Sequence, residues 1–377
     1  MSGVRKAKGE KLMPFRELIH NEARLTGIGI DITEKCNRKC PTCFAQHSPR
    51  DMELPVFQKI IDEACALHFP ELYILGGEPG IVPKILEFLE YAQEKFALVI
   101  FVTNMDKFSD VNFCRQIFDT GVIVAGQRHV LGEDAQSQDI ERLLTGGNHL
   151  HTSNTGWKNV EEIFPPERVC VQCCITRPVV DSHSIFEVFR WARKKGYEPV
   201  MEFTKEGGGF KRGCSLDITP AEMMEVLLEF QRIDKEEFYR NGITLLGPQA
   251  YGKTCHMIEN SVHFLVDGMA VPCVGHHDIG YGNIASDTLA SILDNPLRQA
   301  MKNPHDWIYG YCSNECPHFD LCTGGCRGSA FDITGCPRAS FYYCPHIPRE
   351  RLSLADMIPP SCEDCILKDH PACNPKR

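Results

Sequence analysis

Gly27-Ile-Gly-Ile-Asp-Ile-Thr33 runs straight into Glu34-Lys-Cys36-Asn-Arg-Lys-Cys40-Pro-Thr-Cys43-Phe44-Ala45, and this junction decides the fold. The first half is a short, apolar run of the kind a buried parallel strand shows. The second half is a C-x3-C-x2-C triplet. Three thiolates this close do not make an ordinary structural zinc site, which takes four ligands. A four-iron cluster normally takes four thiolates. Three local cysteines therefore leave one iron open to a small-molecule ligand.

Working outward, the same strand-like composition recurs at Leu72–Leu75, Ala97–Thr103, Val122–Gly126, Val169–Thr176 and Glu198–Thr204. Helical periodicity separates these runs at Val56–Leu67, Pro83–Lys95, Val111–Thr120 and Ile185–Lys195, and again after the sixth strand at Pro220–Tyr239, with Thr219 as its N-cap. A long insertion, Leu131–Arg168, holds an acidic helix candidate near Gln138–Leu144. Alternating strands and helices predict βαβ units and a parallel sheet. Six units are too few for a closed barrel of eight, so the expected fold class is α/β, an open partial (β/α)6 barrel. After Gly242 the pattern breaks down, and from Tyr251 the chain is dense in Cys, Gly, Pro and His. That predicts a small Cys-rich domain organised around metal rather than hydrocarbon. The expected division is an N-terminal extension at 1–24, the barrel at 25–242, the Cys-rich domain at 243–350 and a Cys-containing tail at 351–377.

The second strand candidate ends in Gly76-Gly77-Glu78-Pro79 and the third in Val102-Thr103-Asn104, both at the face where such barrels carry their chemistry. Glycine lets backbone carbonyls approach a cationic amino group closely, and Glu78 can add a charge-assisted contact. The triplet and this tetrapeptide together resemble the radical SAM enzymes. The resemblance implies that Cys36, Cys40 and Cys43 hold a [4Fe-4S] cluster whose open iron takes S-adenosyl-L-methionine. It implies that Gly76, Gly77, Glu78 and Pro79 bind the methionine amino group, and that Thr103 and Asn104 contact methionine or ribose. It also implies reductive cleavage of the cofactor to a 5′-deoxyadenosyl radical that abstracts a substrate hydrogen. The residue before the third cysteine is usually aromatic in that family; here it is Thr42, with Phe44 just after.

The later cysteines, Cys255, Cys273, Cys312, Cys316, Cys322, Cys326 and Cys344, with Gly324-Gly325-Cys326-Arg327 and Gly282-Asn283-Ile284, resemble the SPASM domain. Three residues rather than the usual two separate Cys312 from Cys316. The resemblance implies two auxiliary [4Fe-4S] clusters, one on Cys312, Cys316, Cys322 and Cys344 and one on Cys255, Cys273 and Cys326; a pair of zinc ribbons is the alternative on spacing alone. Cys336, Cys362, Cys365 and Cys373 fall outside that layout. Some relatives use an acidic residue just after the second of these cysteines as a base, a role that Val274 does not fill. His276-His277-Asp278 is expected at the surface or behind the ligands. Arg128-His129 reads either as a contact to cofactor or substrate or as a satisfied structural pair. Cys65, Cys114, Cys170, Cys173, Cys174 and Cys214 read as small buried hydrophobes.

Composition bounds the rest. The chain has 377 residues, 20 cysteines and a net charge of -10. A secreted disulfide scaffold is short, so thiols in this number on a long chain without an apolar signal core point to metal in a cytoplasmic, oxygen-sensitive protein. The absence of a basic footprint argues against a nucleic-acid partner, and no apolar run is long enough to span a membrane. The leading functional expectation is modification of a peptide or protein, with a reducing partner such as ferredoxin or flavodoxin. A small-molecule reaction such as haem-precursor decarboxylation is the second reading. An iron–sulfur electron-transfer scaffold is the third, and the intact Gly76–Pro79 motif argues against it.

Overall fold

The computed structural model describes residues 27–45, 47–207, 209–240, 261–302, 307–317, 319, 324–342, 344, 346–361, 363, 365 and 367–369. The expected N-terminal extension, the junction at 242 and 243, and Cys255, Cys322, Cys362 and Cys373 lie outside these residues.

Six parallel strands follow one another in order: β1 (Gly27–Asp31), β2 (Glu71–Leu75), β3 (Leu98–Thr103), β4 (Ile123–Gln127), β5 (Val169–Ile175) and β6 (Glu198–Phe203). Each pairs with its sequence neighbour, and β6 is an edge, so the sheet stays open. The expected partial barrel is present. At the other edge β7 (Ser261–Phe264) adds to β1 in parallel, followed by antiparallel β8 (Met269–Val271) and β9 (Gly282–Asn283). The C-terminal segment thus begins as a continuation of the barrel sheet.

The helices form because each presents one apolar stripe to this sheet. Helix Leu54–Ala66 buries Phe57, Ile60, Ile61 and Ala64, a spacing of three and four residues. Helix Pro220–Glu237 starts with the expected cap, in which Thr219 and Glu222 exchange hydrogen bonds. The insertion carries two helices, Ala135–Thr145 and Leu150–Ile163. The second was not expected, because Gly156 and several polar residues break its apolar run. The C-terminal segment also departs from expectation. Val262, Phe264, Ile279, Ile284, Leu289, Trp307, Phe331 and Phe341 are buried in the same apolar core as the barrel helices, so hydrocarbon as well as cysteine organises it.

Strand alternation sorts side chains to two faces. Ile28, Ile30, Leu72, Ile74, Val99, Phe101, Val124 and Val171 face the helices. Leu98, Ile100, Ile123, Ala125, Cys170 and Val200 pack together on the opposite, inner face. Toward the C-terminal strand ends this face turns polar. By the same alternation it includes Asp31, Gln127 and Gln172, Cys174 and Glu202, and His263, which registers against Gly29. Among the described residues no helix is long and apolar enough to cross a membrane.

Candidate radical and cluster sites

The triplet loop and the Gly76–Pro79 loop are joined main chain to main chain. The β1–β2 pairing continues beyond the strands: the N–H groups of Ile32, Gly77 and Glu78 donate to Leu75 O, Thr33 O and Lys35 O at 3.0, 2.8 and 2.8 Å. The two glycines are required by this contact. A Cβ on Gly77 would lie 2.1 Å from Lys35 O, and one on Gly76, at φ +140°, would lie 2.3 Å from Thr33 O. The Gly-Gly pair therefore serves first to lock the two loops together.

Glu78 is buried, and its carboxylate is already engaged. It accepts from Gly80 N at 2.9 Å, Thr103 Oγ1 at 2.8 Å and Asn104 N at 2.7 Å. Burial nevertheless pushes its carboxyl up from the ordinary value. It ties the β2 loop to the β3 loop. Asn104 extends the tie by donating through Nδ2 to Asn37 Oδ1 at 2.8 Å, inside the cysteine triplet. Four expected site residues, Gly76, Gly77, Glu78 and Asn104, thus converge on the triplet loop, with Thr103 and Pro79 beneath them.

Sequence reading missed the anchor of this loop. Arg38, inside the Cys36–Cys40 gap, is buried and donates to Asp106 through Nε at 3.1 Å and Nη2 at 2.5 Å. Its Nη1 lies 3.4 Å from Glu141, which is bonded to His129 Nδ1 at 2.9 Å. His149 Nδ1 approaches Asp106 at 2.9 Å. An acidic residue two places after Asn104 was the available clue; only folding brings Glu141 and His149 in from the insertion. His129 is thereby a structural pair, while Arg128 stacks on Trp191 at 4.1 Å.

Cys36, Cys40 and Cys43 are free thiols. Burial pushes all three up from the ordinary thiol value, Cys40 to about 12, against the opposing pull of Arg38. Their mutual charge interactions raise Cys36 and Cys40 further. Such a set holds thiolates at neutral pH only when a cation is bound among them. Two clusters of described ligand-type side chains fall within 4.8 Å of one another, Asp31–His263–His277 and His276–Asp278–Asp332, and neither contains a cysteine.

In the C-terminal segment, Cys273 and Cys326 are buried and interact with each other, and burial raises Cys273 to about 11. Cys326 caps helix Arg327–Thr334, its sulfur accepting from Ser329 N at 3.4 Å. Cys312 is buried at the start of a short turn, and Cys316 N closes that turn on Tyr311 O at 3.0 Å. Cys344 is half-buried. Cys114, Cys170 and Cys173 are buried as expected of small hydrophobes, while Cys65, Cys174 and Cys214 are only partly so. Cys174 faces the barrel interior, where Glu202, Cys40 and Cys43 all act on it. His276 is buried against Phe331, not at the surface. His277 lies parallel to His263, whose Nε2 is 3.1 Å from Asp31.

Residues 255–317 match the SPASM family model, described as an iron–sulfur cluster-binding domain. The mycofactocin maturase MftC of Mycobacterium ulcerans is 23% identical over 81% of this chain and 84% of its own length. The AdoMet-dependent heme synthase of Nitratidesulfovibrio vulgaris is 22% identical over 85% of this chain and 92% of its own. One further curated relative is matched over only 22% of its length. Among solved structures, anSMEcpe with bound AdoMet and a Kp18Cys peptide superposes with a TM-score of 0.63 at 16% identity, covering 81% of this chain and 90% of that one. Over four-fifths of its length the chain is similar to radical SAM enzymes, and its C-terminal segment matches the SPASM domain. Iron–sulfur clusters with S-adenosylmethionine are supported as cofactors by the SPASM match and by these relatives.

Proposed function

We propose that this enzyme modifies a peptide or protein by hydrogen abstraction, with the [4Fe-4S] cluster held by Cys36, Cys40 and Cys43. The observation that carries the reading is the triplet of half-buried free thiols pinned, through Gly76 and Gly77, to the next strand's loop. When bound, the cluster supplies the electron that cleaves the cofactor and releases the 5′-deoxyadenosyl radical. The chain's residues do the positioning. The Gly76–Pro79 segment would hold the cofactor's ammonium through its carbonyls, with Glu78 fixing that segment against Thr103 and Asn104. Arg38 and Asp106 keep the loop rigid beneath it. The barrel walls exclude water from the reacting carbon.

The C-terminal segment completes the assignment, with Cys255, Cys273 and Cys326 for one auxiliary cluster and Cys312, Cys316, Cys322 and Cys344 for a second, in a cytoplasmic protein served by ferredoxin or flavodoxin. The division at 242 and 243 separates the two cysteine sets. A peptide is favoured over a haem precursor by the polar inner wall. Asp31 and Glu202 lie on it, and burial lifts Glu202 to about 7. Lys205, in the loop after β6, is already paired with Asp332. A tetrapyrrole bearing several carboxylates finds poor complementarity there.

The test is anaerobic reconstitution followed by dithionite and S-adenosylmethionine. Release of 5′-deoxyadenosine and about twelve irons per chain, at four per cluster, supports the assignment. Zinc in place of iron at the triplet, or no nucleoside released, removes it. Mass loss or cross-linking in a co-encoded precursor peptide supports the substrate class; turnover of a haem precursor alone overturns it.

A further inference from the structure

Lys205 lies in the loop after β6, and that loop touches both cysteine regions. Gly209 N donates to Cys43 O at 3.0 Å, so the loop rests on the triplet itself. The Lys205 ammonium lies 5.9 Å from the ring centroid of Phe44, the residue after Cys43. On its other side, Nζ is 3.2 Å from Asp332 Oδ2, with the lysine side chain only 11% exposed. Cys273 and Cys326 are both within electrostatic range of it. Two glycines make room for it. A Cβ on Gly275 would meet Lys205 Cδ at 2.4 Å, and one on Gly328 would meet Nζ at 2.9 Å. Each of these glycines lies two residues after one of the two cysteines.

A buried lysine is costly to desolvate and is rarely kept without a partner. Asp332 supplies one countercharge, yet the ammonium also acts electrostatically on two thiols assigned to a cluster. A fixed cation in a low-dielectric site stabilises whichever redox state carries more negative charge. Reduction of an iron–sulfur cluster adds one electron and, with no proton taken up, one negative charge.

We propose that Lys205 is the positioning residue that sets the reduction potential of the auxiliary cluster held by Cys273 and Cys326, with Asp332 as its counterweight. This rests on the cluster assignment above. Lys205 raises the potential, so that the cluster accepts an electron more readily. Asp332 limits that rise. The Phe44 contact places the same charge at the edge of the first cluster loop, so the region between the two sites carries a cation fixed by the fold.

The experiment is a redox titration of the anaerobically reconstituted full chain, followed by the electron paramagnetic resonance signal of each cluster. Lys205→Met keeps the unbranched stem between Gly275 and Gly328 and removes the charge; the auxiliary potential is expected to fall. Asp332→Asn is expected to raise it, and Lys205→Arg to leave it near wild type. If Lys205→Met does not hold iron, the rise in Asp332→Asn decides the matter, because loss of structure does not select a sign. Shifts of the same sign in both variants, or none with iron content intact, overturn the proposal. If wild type shows no auxiliary cluster at all and Cys273→Ala loses no iron, the ligand assignment itself has failed, and Lys205 falls with it.

Discussion

Cys36, Cys40 and Cys43 sit on one short loop, tied by main-chain hydrogen bonds to the loop after β2 and anchored by Arg38 on Asp106 after β3. Cys273 and Cys326, by contrast, are carried on a strand-end turn and a helix cap far apart in the chain, and Lys205 from the barrel packs against Gly275 and Gly328, two residues beyond each. The first site is a local motif held by main-chain hydrogen bonds and a buried Arg38–Asp106 pair. The second is assembled by tertiary packing, with apolar residues such as Ile308, Phe331 and Phe341 doing what sequence-adjacent ligands do in the first. A local motif survives drift elsewhere in the chain; an assembled one depends on the whole core.

The largest expected effect tests that independence. Replacing Cys36, Cys40 or Cys43 by Ala abolishes 5′-deoxyadenosine release, by at least about a hundredfold, since one thiolate in three is lost. Cys312→Ala keeps the iron of the first site and its nucleoside release in the absence of substrate. Equal loss in both variants, read by iron analysis and chromatography, breaks the comparison.

Next, Arg38→Met strips Asp106 and Glu141 of their buried cation. Removing one partner of a buried pair costs about 3–5 kcal/mol, visible as a lower denaturation midpoint, with first-cluster iron lost before auxiliary iron. Gly77→Ala follows. Overpacking of this kind costs about 1–3 kcal/mol, and it splays the two loops. Nucleoside release is expected to fall about tenfold or more, while the auxiliary cluster's spectrum stays unchanged.

The smallest effect lies in the barrel floor, away from both sites. Glu71 is 2% exposed, and burial lifts its carboxyl to about 7 although Tyr73 donates to it at 2.9 Å. Because the folded state holds this proton more tightly than the unfolded one, its contribution is intact below about pH 4.5 and is lost as the pH rises through 7. Glu71→Gln is therefore expected to match wild type near pH 4.5 and to exceed it by about 3 kcal/mol at pH 8. Denaturant titrations at the two pH values check this; a constant difference at both contradicts it.

The expected partial barrel was readable because six short apolar runs alternate with stripes of period 3.6, and each element forms from neighbours in the chain. The triplet and the Gly76–Pro79 loop were readable for the same reason: their spacing is local. Glu78 was legible as a site residue but not in its role, since only the fold shows its oxygens committed to Gly80, Thr103 and Asn104. Asp31 and Glu202, acidic residues inside otherwise apolar strands, were visible clues to a polar inner wall. The apolar content of the C-terminal segment was masked by its density of Cys, Gly and Pro.

The amino-acid order by itself determined the strand-and-helix alternation, the cysteine triplet and the cofactor chemistry it resembles, because hydrophobic period and ligand spacing act over a few residues. Only the tertiary structure decided that β7 extends the barrel sheet, that Asp106 and Glu141 converge on Arg38, and that Lys205 comes within electrostatic range of Cys273, Cys326 and Phe44. Those choices pair charges and strand edges from distant parts of the chain. Their energies depend on burial, which exists only once the chain has closed around them.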